Sequence, residues 1–162
     1  MSARSKALLG AVLMTSVMAG PCGSARADGP ARVGREADLA HHGYASLWQG
    51  RLEVRLVSRN HGSSDVSEAT VRLAFSEPPA AGQELPPACL WVGERVVACR
   101  TGALRAAGAA AGELAIGLRT AGSPDEVTVE IGTAWSDGST DPNPDNDRHR
   151  VLVLATGDAY AF

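Results

Sequence analysis

The chain has 162 residues, 44% of them hydrophobic and 20% charged, which is the size and make-up of one folded domain. A formal net charge of -3 gives no electrostatic case for binding nucleic acid or an anionic membrane. With three cysteines in so short a chain, the redox compartment becomes the first question.

Arg4 and Lys6 precede an uncharged apolar run from Ala7 to Gly20, and Ala25-Arg26-Ala27 follows it. This is the pattern of a secretory signal peptide over residues 1–27, with cleavage expected after Ala27 and a secreted, extracellular product. The run is shorter than the about 20 residues an anchoring helix needs, and no later segment approaches that length, so the mature chain is expected to carry no transmembrane segment. Cys22 opens a lipoprotein alternative, but Pro21 stands directly before it, where such signals resemble Leu-Ala-Gly-Cys. Cleavage removes three positive charges (Arg4, Lys6, Arg26) and no acid, so the formal charge goes from -3 to -6. It also removes Cys22 and the only lysine, leaving Cys89 and Cys99 as an even pair. The all-arginine basic set, with abundant Ala, Gly, Pro and Val, points to a GC-rich genome.

Residues 28–36 form a polar lead expected to stay flexible, and residues 37–162 form the domain. A first strand falls within Leu39 to Trp48. There His41 and His42 point to opposite faces, so only one could join His61 or His149, and a zinc set of three or four ligands is not indicated. Leu52, Val54 and Leu56 alternate with Arg51, Glu53 and Arg55 in a second strand. Asn60-His61-Gly62 then supplies residues that tolerate positive φ, with Ser64 or Asp65 able to bond back to the turn's own amides. Val71, Leu73 and Phe75 mark a third strand, and Glu77 to Pro87, with four prolines, a stiff loop.

Cys89 to Cys99 reads as a hairpin. If Gly93, Glu94 and Arg95 form a three-residue loop, Val92 faces Val96 and Cys89 faces Cys99, where directly opposite Cα atoms at a non-hydrogen-bonded pair lie about 4.5 Å apart. A disulfide closing this loop is worth about 2–3 kcal/mol; two buried thiols are the alternative. Trp91 is expected on the face opposite Cys89, exposed unless a second sheet covers it.

Leu104 to Gly112 is alanine-rich but broken by Gly108 and Gly112, and reads as a loop, with a short helix as the alternative. Leu114, Ile116 and Leu118 mark the next strand, and Val127, Val129 and Ile131 another, whose inward register continues to Trp135 and places that indole in the core. Asp141-Pro142-Asn143-Pro144 reads as a turn with fixed φ at its prolines. The alternative is a calcium loop on Asp141, Asn143, Asp145 and Asp147, rimmed by Ser136, Asp137 and Thr140, although Asn146 and Leu152 occupy the places of the EF-hand Gly and Glu. A last strand spans Arg148 to Leu154. About seven or eight short strands with period-two alternation imply an all-β antiparallel sandwich.

No Gly-x-Ser-x-Gly, His-Glu-x-x-His or Gly-x-x-x-x-Gly-Lys pattern occurs, and Glu53 and Glu130 sit on exposed faces, so no catalytic residue and no cofactor are expected. Trp48, Trp91 and Trp135 raise a carbohydrate platform, which the inward register of Trp135 argues against.

The run from Arg51 to Val71 resembles the strand, Asn-x-Gly-x-Ser-Asp turn and second strand of a bacterial Ig-like surface-repeat module of uncharacterised function. Its members recur in cell-wall and secreted proteins. Cys89, Cys99, Gly102, Leu104 and Gly108 are similar to its Cys...Cys-x-x-Gly-x-Leu-x-x-Gly stretch, and Asp141 to Asp147 resembles its Asp-Pro-x-Pro-x-Asn-Asn ending, with Asp147 in place of the last Asn. The match spans roughly Ala37 to Ala155 with the landmarks in family order. It implies an Ig-like sandwich, an extracellular location and structural turns at Asn60, Gly62, Asp65, Gly102, Asp141, Asn143 and Asn146, and it supplies no catalytic residues. Family members usually carry tandem copies and an anchor. Here one copy ends at Tyr160-Ala161-Phe162, which looks like a small secreted relative from a high-GC actinobacterium.

The function so expected is a non-catalytic module, binding or structural, at or outside the cell envelope. Its partner would be an extracellular protein or a cell-wall polymer, met by exposed loops or a sheet edge. The alternatives are a secreted inhibitor of an extracellular hydrolase that docks through Glu77 to Pro87, and a calcium-dependent surface module.

Overall fold

The computed structural model describes residues 34–162, so the signal-peptide assignment, Cys22 and most of the 28–36 lead lie outside the described residues. Those described form an all-β sandwich of nine strands: β1 (Leu39–Trp48), β2 (Arg51–Asn60), β3 (Thr70–Phe75), β4 (Cys89–Gly93), β5 (Val96–Arg100), β6 (Gly112–Arg119), β7 (Glu126–Trp135), β8 (His149–Leu154) and β9 (Tyr160–Ala161). The two-residue β9 is the strand that periodicity did not reveal. One sheet runs β6-β2-β1-β9 and the other β4-β5-β3-β7-β8, with all neighbouring strands antiparallel. No helix among the described residues is long and apolar enough to cross a membrane.

Alternation places the core as expected. Leu52, Val54 and Leu56 of β2, Val71, Leu73 and Phe75 of β3, Ile116 and Leu118 of β6, and Val127, Val129 and Ile131 of β7 meet between the sheets with Ala45, Leu47, Val97, Val151 and Val153. Charged partners such as Arg51, Arg55 and Arg72 face water. Burying one face of each sheet also fixes register, because a slip of one residue would turn every apolar side chain outward.

Two bulges shift that phase. On β7, Thr133 pairs with Val71 but Trp135 pairs with Thr70, so Ala134 is an extra residue. The inversion turns Trp135 out of the core, where its sequence register had placed it, and leaves it 49% exposed. On β4, Trp91 pairs with Val97 and Gly93 with Val96, so Val92 is the extra residue and does not face Val96. The connection is therefore a two-residue turn, Glu94-Arg95, rather than the three-residue loop expected.

The cysteine pairing survives because the bulge lies between the cysteines and the turn. Cys89 pairs with Cys99, their Cα atoms are 4.1 Å apart, and the disulfide is formed. The Arg100 amide donates to the Ala88 carbonyl and the Cys89 amide turns back to Pro86, so the ladder bonds flank a non-hydrogen-bonded pair. Trp91, two residues on, shares the face of Cys89 rather than opposing it, and both pack against the core. Leu90 and Val92 are the exposed large side chains of β4, at 57% and 55%.

Candidate functional site

The three stretches that stood out in the sequence meet at one end of the sandwich, around Asp38 and Leu39. Asn60, at the end of β2 and fully buried, accepts the Asp38 amide (3.2 Å) and the Gly62 amide (3.0 Å) on Oδ1. Its Nδ2 donates to the carbonyls of Ser64 (2.7 Å) and Leu104 (3.4 Å). Neither Asn60 nor Gly62 has positive φ, contrary to expectation. Gly62 is required by contact instead, since a Cβ there would lie 2.6 Å from the Asp38 nitrogen and 2.7 Å from the Ala37 Cα.

Asp65 bonds forward to the next loop rather than back to its own turn. It accepts the Ala106 amide (2.8 Å) and Arg105 Nη1 (2.7 Å), which together hold its carboxyl below the usual range. Gly102 does adopt positive φ (+71°) with no neighbour near its missing Cβ, so conformation is its reason. The Leu104 backbone exchanges two 2.9 Å bonds with Val66, and the stretch expected to be a loop contains only a single 3-10 turn, Ala106–Gly108. Ala37, Leu39, Val66, Ala69 and Leu104 form a second, smaller core beneath these bonds.

Asp141 accepts the Leu39 amide and the Asn143 amide, each at 2.8 Å. Asn146 donates to Asp38 Oδ1 (2.7 Å), and its carbonyl accepts the His41 amide (3.1 Å). Asn143 and Asp145 point to solvent while Asp147 is buried. Among the described residues no three His, Cys, Asp or Glu side chains are placed to hold a metal ion, and of the alternate side chains from Asp141 to Asp147 it is Asp141 whose oxygens bond backbone amides. The last residues of the lead are engaged as well. Arg35 Nη1 pairs with Asp137 at 3.1 Å, and Glu36 bridges Thr140 in parallel.

Next to this clasp lies a buried polar group. His41 points inward and is 2% exposed, whereas His42 is exposed, as their adjacency required. His41 Nε2 and Thr133 Oγ1 are 3.0 Å apart. Burial, with His149 and His42 nearby, lowers the His41 pKa to about 4. Burial raises the Asp147 carboxyl against the opposing effect of Thr133, and its Oδ1 lies 3.7 Å from Arg148 Nε, too long for a hydrogen bond. His149 packs on Phe162 with ring centroids 5.3 Å apart. His61 lies elsewhere, beside Gly108. An enclosed neutral imidazole held by a hydroxyl has no approach for a substrate, so this group bears on stability.

The loop expected to dock on a hydrolase is stitched down. Gln83 Nε2 donates to the carbonyls of Ala80 and Arg119, both at 2.9 Å, and Gln83 Oε1 accepts the Arg119 amide, covering the free edge of β6. Its exposed tip, Ala81-Gly82, carries no large side chain that could fill a partner's pocket.

The surface best equipped for recognition is the outer face of the β6-β2-β1-β9 sheet. Period two puts Tyr44, Ser46 and Trp48 together on that face, and Tyr44 and Trp48 are 39% and 55% exposed. Trp48 stands opposite Arg51, and Ser46 opposite Glu53. Arg51 Nε donates to Glu53 Oε1 at 3.1 Å, and Thr156, Gly157 and Asp158 from the β8–β9 turn complete a shallow groove. The alternation of β1 carries the signal, since it sets Trp48 on the same outward face as Tyr44. No protein-family model matches the chain, and no curated protein is significantly similar to it.

Proposed function

We propose that the chain is a non-catalytic binding module that acts outside the cell, presenting the outer face of its β6-β2-β1-β9 sheet to a cell-envelope polymer. The observation that carries this reading is the solvent-facing Trp48 set in a groove whose other side chains are polar. A large aromatic left half-exposed among fixed donors and acceptors is the composition of a recognition surface. The Cys89–Cys99 disulfide supports an oxidising compartment, in keeping with the export signal read at residues 1–27. The landmark order and the sandwich support affiliation with the bacterial Ig-like surface module. The clasp explains why such landmarks would recur, since they close one end of the fold.

The test is co-sedimentation of the exported chain, purified from medium, with isolated cell-wall material. Binding that is lost in Trp48→Ala is expected. A wild-type chain that stays in the supernatant with every wall preparation would set the reading aside.

A further inference from the structure

We infer that the Trp48 groove takes the sugar rings of an uncharged polysaccharide, an inference that rests on the binding role proposed above. The indole is a prepared platform. A Cβ on Gly157 would lie 3.4 Å from Trp48 Cε3 and 3.7 Å from its Cδ2, so the Gly157 turn lies close beside the ring, which is still 55% exposed. Gly157 has φ of +85°, and its amide donates to the Leu47 carbonyl at 3.0 Å, which fixes the turn to β1. Thr156 Oγ1 lies 3.2 Å from the Tyr160 hydroxyl and accepts the Asp158 amide at 3.3 Å, bracing the same turn from within. Little ordering is left for a ligand to impose, which favours weak polar ligands that gain little per contact.

The rim selects the chemistry. Arg51 and Glu53 are paired, and Asp158 adds one further negative charge, so the groove repels phosphate and carboxylate groups. Arg51 offers donors, Glu53 and Asp158 acceptors, and Ser46 and Thr156 hydroxyls that serve as either. A pyranose ring presents a face of C–H bonds to an aromatic plane and an edge of hydroxyls that both donate and accept, and it meets each of these groups. An acyl chain would leave the polar rim unpaired. A quaternary ammonium would suit the indole and the net negative rim, but its methyl groups offer no hydrogen bonds to the hydroxyls of Ser46 and Thr156. Tyr44 lies on the same face four residues along β1, about 13 Å away at strand rise, which extends the surface beyond a single sugar unit.

The experiment titrates the exported protein with cello-, chito-, laminari- and manno-oligosaccharides, and separately with choline and a glycerol-phosphate polymer, following tryptophan fluorescence and the indole N–H resonances. A saturable, millimolar or tighter response to at least one neutral oligosaccharide is expected. It should weaken by about tenfold or more in Trp48→Ala and in Gly157→Val, with melting temperature confirming that both fold, and persist in Trp135→Ala. A response confined to choline or to the phosphate polymer overturns the proposal, as does one unaffected by Trp48→Ala, or none to any neutral sugar. If the sugars fail while wall sedimentation still depends on Trp48, the ligand class is wrong and the binding face stands. If sedimentation fails too, the binding role falls with it.

Discussion

Asn146 Nδ2 donates to Asp38 Oδ1 at 2.7 Å across 108 residues of chain, while the backbone amide of the same Asp38 is held by Asn60 Oδ1. Two motifs far apart in sequence therefore grip one residue at the start of β1, and Asp141 grips the next, Leu39. The strand that enters the sandwich is positioned from both sheets at once. Its polar backbone is satisfied where the ladder has not yet begun, and that is the condition for burying Ala37 and Leu39 in the second core.

Asn60 should be the least replaceable polar residue of this clasp. Asn60→Asp keeps an acceptor for the Asp38 and Gly62 amides but removes the donor to Ser64 and Leu104 and buries a carboxylate beside their carbonyls. A loss of about 2–4 kcal/mol is expected in denaturant unfolding. A change under about 0.5 kcal/mol would show that the four bonds are dispensable.

Two glycines should respond differently to the same substitution. Gly62→Ala forces a methyl to within 2.6 Å of the Asp38 nitrogen, a backbone that cannot step aside without breaking the clasp, and should cost about 3 kcal/mol or more. Gly102→Ala meets no atom within 4 Å and faces only the strain of φ at +71°, about 1 kcal/mol. Equal melting temperatures for the two variants would contradict the steric account of Gly62.

The disulfide ties edge strand β4 to β5, its only ladder partner among the described residues. Replacing both cysteines with serine should lower stability by about 2–3 kcal/mol and the melting temperature by on the order of 10 °C. Hydrogen exchange should show the loss first at the Leu90 amide, which bonds across to β5. Calorimetry that gives identical transitions with and without reductant would leave the bond no energetic role.

Acid should weaken the fold through His41. Its pKa is near 4 in the folded chain and 6.5 as the reference, so the unfolded chain binds the extra proton between those values. Stability from this group is whole above pH 6.5 and falls as pH drops toward 4, by on the order of 3 kcal/mol. Asp147, raised by burial, acts with the opposite sign, since its penalty is relieved on protonation below its folded value. His41→Gln should flatten the melting temperature between pH 6.5 and 4; the same slope in both proteins would assign it to other groups.

Much of the fold was legible because alternation is a local property. A pleated backbone turns successive side chains to opposite faces, so Leu52, Val54 and Leu56, or Val127, Val129 and Ile131, declare a buried face without any knowledge of the partner strand. The cysteine pair was legible for the same reason, with its register counted outward from a turn only four residues beyond Cys89. That count reached the right pair through a wrong turn, because the bulge at Val92 and the shorter turn cancel.

What only the tertiary structure decided has a common cause: it depends on a second segment of chain. The bulge at Ala134 exists only against β3, and it alone moved Trp135 from the core to the surface. Beyond the local turn bonds to Gly62, Ser64 and Asn143, bonds of Asn60, Asp65, Asp141 and Asn146 run to residues 22 to 108 positions away, so turn chemistry identified the residues but not these distant partners. Sequence marked Trp48 as one aromatic among three. Its distinction comes from the turn at Gly157, brought beside the ring by the return of the chain after β8, and no local pattern encodes that meeting.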